Sequence, residues 1–288
     1  MRISGRTRVV GIIGDPVSHS LSPAMHNAAF RALRLDFAYT AFRVQPRDLR
    51  AAITGMRALH IVGLNVTVPH KERVIGFLDS VSAAARRTGA VNTIVNRSGR
   101  LHGENTDVTG FLCALDEAKF QTRGARVLVI GAGGAARAVL TALASGKAAH
   151  VTIANRTVRR AQGVARATTS HGTALTATGL DALGDPGLLG SVDLVVNSSS
   201  VGLHGERFLP LAYAATPRRS LFFDLIPGRH THFLAAAKRA GRRALDGRSM
   251  LLHQGTAAFT LWTGRPAPLA VMRAALRRAR GPSSALSN

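Results

Sequence analysis

The sequence predicts an α/β protein of two domains, an N-terminal α/β domain followed by a doubly wound parallel-sheet domain, with helices closing the chain. Three observations carry this. β-branched apolar runs alternate with helical patterns from Val9 onward. A second alternation begins near Arg126 with a strand, a glycine-rich turn and a helix. Helical periodicity then returns after Asp246-Gly247. At 288 residues, 46% of them hydrophobic, the chain has the material for two modest cores.

Taken in order, Val9–Ile13 reads as a short strand, Pro23 to Leu33 as a helix, and Phe37–Val44 as a strand. Leu49 to Met56 is a helix, and Ile61–Val68 is a β-branched strand ended by Pro69, after which Lys71-Glu72 opens the next helix. Val108 to Lys119 is a helical connector. In the second unit, Ala125–Ile130 and Val151–Ala154 are strands, and Val192–Gly202 is a buried strand running into a polar turn. Helices follow from Ser249 through Trp262 and from Pro268 to Arg280, and no repeat or low-complexity linker interrupts the chain.

Charge and composition exclude several classes. The formal charge of +23 would suit a polyanion, but the arginines are scattered among Ala and Gly, and aromatics at 5% are too few for a base-stacking platform. A specific nucleic-acid partner is not expected; Arg277-Arg278-Ala279-Arg280 offers at most weak polyanion binding. No apolar run approaches a membrane span, and Met1-Arg2-Ile3-Ser4-Gly5 lacks the apolar core of a signal peptide, so a cytoplasmic protein is expected. Cys113, the single cysteine, reads as a small buried apolar residue of a reducing compartment.

Only four basic residues are lysines, and Lys71 stands at the carboxyl end of a predicted buried strand, where open α/β sheets bind ligands. A partly desolvated ammonium can exchange a proton near neutral pH, whereas a guanidinium cannot. Taken alone, the segment fits a solvated lysine on a first helical turn equally well. Ser20 and Ser22 precede a helix that starts with Pro23, so two hydroxyls and a helix N-terminus face one spot suited to a carboxylate, with Ser22 also expected as the N-cap.

The strand, turn and helix at Ala125–Ala138 carry Gly131, Ala132, Gly133, Gly134 and Ala135, a Rossmann-type pyrophosphate turn in which Ala136 stands where a third glycine is common. After the next strand, an NAD site places Asp or Glu for the ribose hydroxyl. This chain has Asn155-Arg156-Thr157, with Arg159 and Arg160 beyond. A guanidinium pairs with a 2'-phosphate and cannot accept from a hydroxyl, so the expected cofactor is NADP; in so arginine-rich a chain the alternative is a chance surface arginine.

The segments Gly11–Asn27, Asn65–Lys71, Ala90-Val91-Asn92-Thr93 and Gly103-Glu104-Asn105-Thr106-Asp107 together resemble the shikimate dehydrogenase family, nearly end to end. The resemblance implies NADPH-dependent, reversible reduction of 3-dehydroshikimate to shikimate. It implies Lys71 and Asp107 at the reacting centre, Thr67, Asn92 and Asp107 on ring hydroxyls, Ser20 and Ser22 on the carboxylate, and Gln254 on the substrate. It adds Ser199, Ile226 and Gly247 to the cofactor site and no metal. On local sequence alone, Asp107 reads as an N-cap and Gln254 as a solvated helical residue. The implied domains are 1–107 plus 247–288 for substrate and 108–246 for NADP, in a monomer or homodimer. Two departures stand out. The family's Tyr after the strand at Phe222–Ile226 is missing, and Ser249 replaces a common Gly. A quinate-type dehydrogenase is therefore the near alternative, and a non-catalytic NADP-binding regulator, which would need neither Lys71 nor Asp107, the distant one.

Overall fold

The computed structural model describes residues 3–279; Met1, Arg2 and 280–288, including Arg280 of the expected last helix, lie outside the described residues. The chain forms two compact units, one made of the residues up to Thr106 together with those from Leu251 onward, the other of Asp107–Met250.

The first unit is built on a six-stranded sheet of β1 (Arg8–Gly14), β2 (Phe37–Arg43), β3 (Gly63–Val66), β4 (Ser80–Val81), β5 (Thr93–Arg97) and β6 (Arg100–Glu104), in the order β2-β1-β3-β5-β6-β4. β1 is parallel to β2 and β3, as alternation with α1 (Ser22–Ala32) and α2 (Leu49–Ala58) requires. The pairings β3–β5 and β5–β6 are antiparallel, and β5–β6 is a hairpin that the alternation does not predict. Its two-residue turn, Ser98-Gly99, has positive φ at both positions (52° and 88°), the conformation whose twist matches paired strands. Lys71-Glu72 does not open an α-helix either. It lies in a turn before a single 3₁₀ stretch, Arg73–Phe77, and the next α-helix is α3 (Ala83–Thr88), capped by Ser82 Oγ accepting from Ala85 N at 3.1 Å.

Side-chain alternation along β1 divides the core. Val10 and Ile12 join Met25, Phe30, Phe259 and Trp262 on one face; Ile13 joins Ile53, Met56, Val66 and Leu101 on the other. Residues from Leu251 onward thus complete the first unit's core. Trp262 donates from Nε1 to Ile94 O at 3.0 Å, and its indole fills the space a side chain at Gly63 would need.

The second unit contains α4 (Asp107–Glu117) and a six-stranded sheet of β7 (Arg126–Ile130), β8 (His150–Ala154), β9 (Ala174–Thr178), β10 (Leu194–Asn197), β11 (Leu221–Asp224) and β12 (Arg243–Leu245). Every pairing is parallel, in the order β12-β11-β10-β7-β8-β9. Crossovers include α5 (Gly134–Ser145), α6 (Val158–Ala167), α7 (Pro186–Leu189) and α8 (His232–Arg239). This is the doubly wound architecture, and its strand order reverses between β7 and β10, where such sheets open a crevice. The four-residue strands β10 and β11 are buried throughout, which explains why each is apolar up to its last residue, Asn197 or Asp224. Cys113 is only half-buried: α4 buries Asp107, Gly110, Phe111, Ala114 and Leu115, and Cys113 lies on the flank of that stripe. The last two helices among the described residues are α9 (Arg248–Thr263), which spans the sequence boundary between the units, and α10 (Leu269–Arg278).

Candidate active site

β3 ends at Val66, and the chain turns at once. Thr67 N donates to Ile13 O at 2.9 Å, and the Thr67 methyl occupies the space that a side chain at Gly14 would take. His70 is buried, with its Nε2 2.7 Å from Val44 O, and its N–H donates to Thr67 O. The Lys71 backbone is fixed in the same turn, its carbonyl accepting from Val91 N at 2.8 Å, while the residue itself stays half-buried. The lysine is therefore carried on an anchored turn at a strand end, not on the first turn of a helix.

Asn92 joins this turn to two distant segments. Its carbonyl accepts from Val66 N, and its side-chain Oδ1 accepts from Thr106 N at 2.7 Å. Its Nδ2 donates to Thr106 Oγ1 at 3.0 Å and to Gln254 Oε1 at 3.4 Å. All three side chains are nearly buried, Gln254 at 7% exposure instead of solvated on its helix. Asp107, next in the chain after Thr106, is buried as the first residue of α4, in the turn where the helix dipole favours a carboxylate. Sequence alone gives Thr106 no role; its side chain becomes significant only once the hairpin brings it to Asn92.

Ser22 departs from expectation. It lies inside α1, after Leu21 at the cap position, and makes no capping bond; Ser20 Oγ instead accepts from Ser22 N at 3.3 Å. Ser22 is 2% exposed and hydrogen-bonds the Tyr39 phenol. That phenol donates to Asn65 Oδ1 at 2.7 Å, and Asn65 Nδ2 donates to Asn92 O at 3.2 Å, so a continuous polar chain links Ser22 to Asn92. Behind it, fully buried His26 stacks on Tyr39 with centroids 4.6 Å apart, and burial pushes its pKa down to about 3. Its ring is neutral at physiological pH and serves as packing. Neither Tyr39 nor Asn65 received a role from sequence, because only the β1–β2 and β1–β3 pairings set them side by side.

In the second unit, Gly131 follows β7 with φ +109°, where a Cβ would come within 3.1 Å of Ser199 N. Gly133 precedes α5 in extended conformation, with open space where a side chain would point and no side-chain cap on the helix. Ala132 is buried, and Gly134 and Ala135 begin the helix, leaving first-turn amides for an anion. At the end of β8, Asn155 Nδ2 donates to Thr157 O at 2.9 Å, while Arg156, Thr157 and Arg160 are exposed. These residues fit a phosphorylated dinucleotide: an open glycine turn for the pyrophosphate and an uncommitted arginine surface beyond the neighbouring strand.

The turns after β10 and β11 are linked through Asp224, which is fully buried. Its Oδ1 accepts from Asn197 Nδ2 (3.0 Å) and Ile226 N (3.1 Å), its Oδ2 from Thr231 Oγ1 (2.6 Å). Asn197 Oδ1 in turn accepts from Ser199 Oγ at 2.7 Å. Gly247 N donates to Ile226 O, and a side chain at Gly247 would overlap Leu225 O. Burial pushes the Asp224 carboxyl up to about 6, although its three hydrogen bonds favour the charged form. A raised folded-state value contributes stability at low pH that is lost as pH rises through about 6. Asp224→Asn lacks this titration, so the stability difference should move in favour of the parent protein by about 1 kcal/mol from about pH 7 to about pH 5. Thermal melts of both proteins at the two pH values check this; a constant difference would rule it out.

Comparisons with known proteins agree along the whole chain. Residues 12–94 match the shikimate dehydrogenase substrate binding domain, 114–225 the shikimate / quinate 5-dehydrogenase family, and 247–277 the shikimate 5'-dehydrogenase C-terminal domain. The shikimate dehydrogenase (NADP(+)) of Moorella thermoacetica is 48% identical over 289 residues, spanning 99% of this chain and 97% of that protein. The shikimate dehydrogenase structure from Aquifex aeolicus has a TM-score of 0.88 at 37% identity, covering 96% of this chain and all of that one. The Thermus thermophilus enzyme, solved in complex with NADP(H) and shikimate, has a TM-score of 0.83 at 37% identity, covering 94% and 99%.

Proposed function

We infer, from a chain that belongs to the shikimate dehydrogenase family, that this enzyme catalyses the reversible, NADP-dependent interconversion of 3-dehydroshikimate and shikimate, a step toward aromatic amino acids. The observation that carries the site assignment is the hydrogen-bonded group of Asn92, Thr106 and Gln254, which gathers three distant segments at the strand end that presents Thr67 and Lys71.

NADPH, when bound, supplies the hydride, and the protein's task is to orient the ring and manage one proton. Lys71 donates that proton to the alkoxide developing on the ring and accepts it in the reverse direction. Asp107 orients the ammonium and holds a ring hydroxyl; Thr67 and Asn92 hold the others, with Gln254 beside them. Ser20 and Ser22 take the carboxylate. Gly131 to Ala135 would hold the pyrophosphate, and Asn155, Arg156, Thr157 and Arg160 the 2'-phosphate. Ser199, Ile226 and Gly247 would line the nicotinamide side. The NADP domain is accordingly 108–246 and the substrate domain 1–107 with 247–288, close to the boundaries of the two compact units at Thr106/Asp107 and Met250/Leu251.

Quinate is the competing substrate, because it shares the carboxylate and hydroxyls and because the loop after β11 lacks the family's tyrosine. It adds one hydroxyl at the ring carbon bearing the carboxylate. Pockets reject such an addition less strongly than they reject a missing hydrogen-bond partner. Shikimate should therefore exceed quinate in kcat/KM by roughly tenfold or more, with quinate turnover detectable. NADP reduction with the two substrates side by side tests this, and equal or better use of quinate would reassign the enzyme.

No helix among the described residues is long and apolar enough to cross a membrane. A cytoplasmic enzyme, active as a monomer or homodimer and without a specific nucleic-acid partner, completes the reading; light scattering of the purified protein tests the oligomeric state.

A further inference from the structure

We propose that Asp224 is a positioning residue for the reacting half of the cofactor, acting through the two turns it ties together. The inference rests on the reading that Ser199 and Ile226 line the nicotinamide side. Three donors from two chain segments converge on one carboxylate: Asn197 Nδ2 at the end of β10, and Ile226 N and Thr231 Oγ1 beyond β11. Asn197 relays the constraint, since its Oδ1 accepts from both Ser199 N (3.1 Å) and Ser199 Oγ, while its Nδ2 also donates to Val201 O at 3.2 Å. Ser199 Oγ then accepts from Val201 N at 3.2 Å, closing the turn on itself. The two turns also lie close together. A Cβ at Gly202, which has φ +98°, would sit 3.4 Å from Thr231 Cγ2 and 3.8 Å from Ile226 Cδ1.

The surroundings argue against a role in stability alone. Asp224 lies with Phe222 and Phe223 on a fully buried strand, where burial opposes the charged form and an apolar residue would pack without that cost. What an apolar residue could not do is accept three bonds at once. Without them Ile226 N loses its acceptor, and Asn197 and Thr231 are free to choose other partners. The peptide at Ile226 and the hydroxyl at Ser199 would then no longer share a single arrangement, and a misplacement of small size beside a hydride-transfer centre is costly to rate.

Asp224→Ala should raise the KM for NADPH and lower kcat, each by about tenfold, while the KM for 3-dehydroshikimate stays within about twofold. Asp224→Asn should recover most of the loss. Its carboxamide oxygen keeps Asn197 Nδ2 and Ile226 N, and its NH₂ faces the Thr231 hydroxyl, which can accept. Should Asp224→Ala yield no folded protein, Thr231→Val, which removes the 2.6 Å bond, replaces it with the same expected split. Folded Asp224→Ala or Thr231→Val with unchanged constants would overturn the proposal, as would equal damage to both KM values. Ile226→Gly tests the underlying reading by itself. An unchanged KM for NADPH in that variant removes Ile226 from the cofactor site and the proposal with it. A raised one beside an unaffected Asp224→Ala discards only the role of Asp224.

Discussion

Lys71→Ala should lower kcat by on the order of a hundredfold or more, with little change in NADP affinity, the loss expected for a positioned acid/base. The turn carrying Lys71 is held independently of its side chain, by His70 N to Thr67 O and by Val91 N to the Lys71 carbonyl. Truncation therefore removes the amine and leaves the turn, and the kinetic loss is attributable to proton transfer. Asp107→Asn should also lower kcat, and the double variant should lose less than the product of the two single losses, the result expected of two groups proposed to act on one reaction. Steady-state and single-turnover rates of purified variants decide the matter. Near-normal kcat in Lys71→Ala would take Lys71 out of the mechanism.

Arg156→Ala should weaken NADP by roughly 1 to 3 kcal/mol, the range for a lost charge-assisted contact, and leave NAD almost unchanged. Arg156 is exposed at the end of β8, and the backbone there is held by Asn155 Nδ2 donating to Thr157 O, a bond that does not involve the guanidinium. The variant thus removes a charge without disturbing the strand. Because exposed arginines are numerous in this chain, part of any cofactor attraction is general steering, which falls with salt for both cofactors alike. The specific term is the difference between NADP and NAD at fixed salt, measured by fluorescence titration; equal weakening of both would separate Arg156 from the 2'-phosphate.

Several features of the protein are local and were legible from residue order. The strand, glycine turn and helix from Arg126 to Ser145 follow from hydrophobic period and from the backbone freedom Gly131 uses at φ +109°. The alternating elements of both units, the absence of an acidic residue after β8 and the family motifs around Lys71 and Asn92 belong to the same class.

What required the tertiary structure was every property that depends on which strand lies beside which. Ser22 was expected to cap a helix and is instead buried within it against Tyr39. Gln254 reads locally as a solvated helical residue and is buried on Asn92, 162 positions away in sequence. The β3–β5 pairing, the Tyr39–Asn65 bond and the Asn197 donor on Asp224 likewise join residues from separate segments. Local order sets a residue's backbone preference and the period of its neighbours, and these are short-range. A buried polar group must find its partner wherever the folded chain brings a donor or acceptor within about 3 Å, and that pairing is decided by sheet order, which no local pattern encodes.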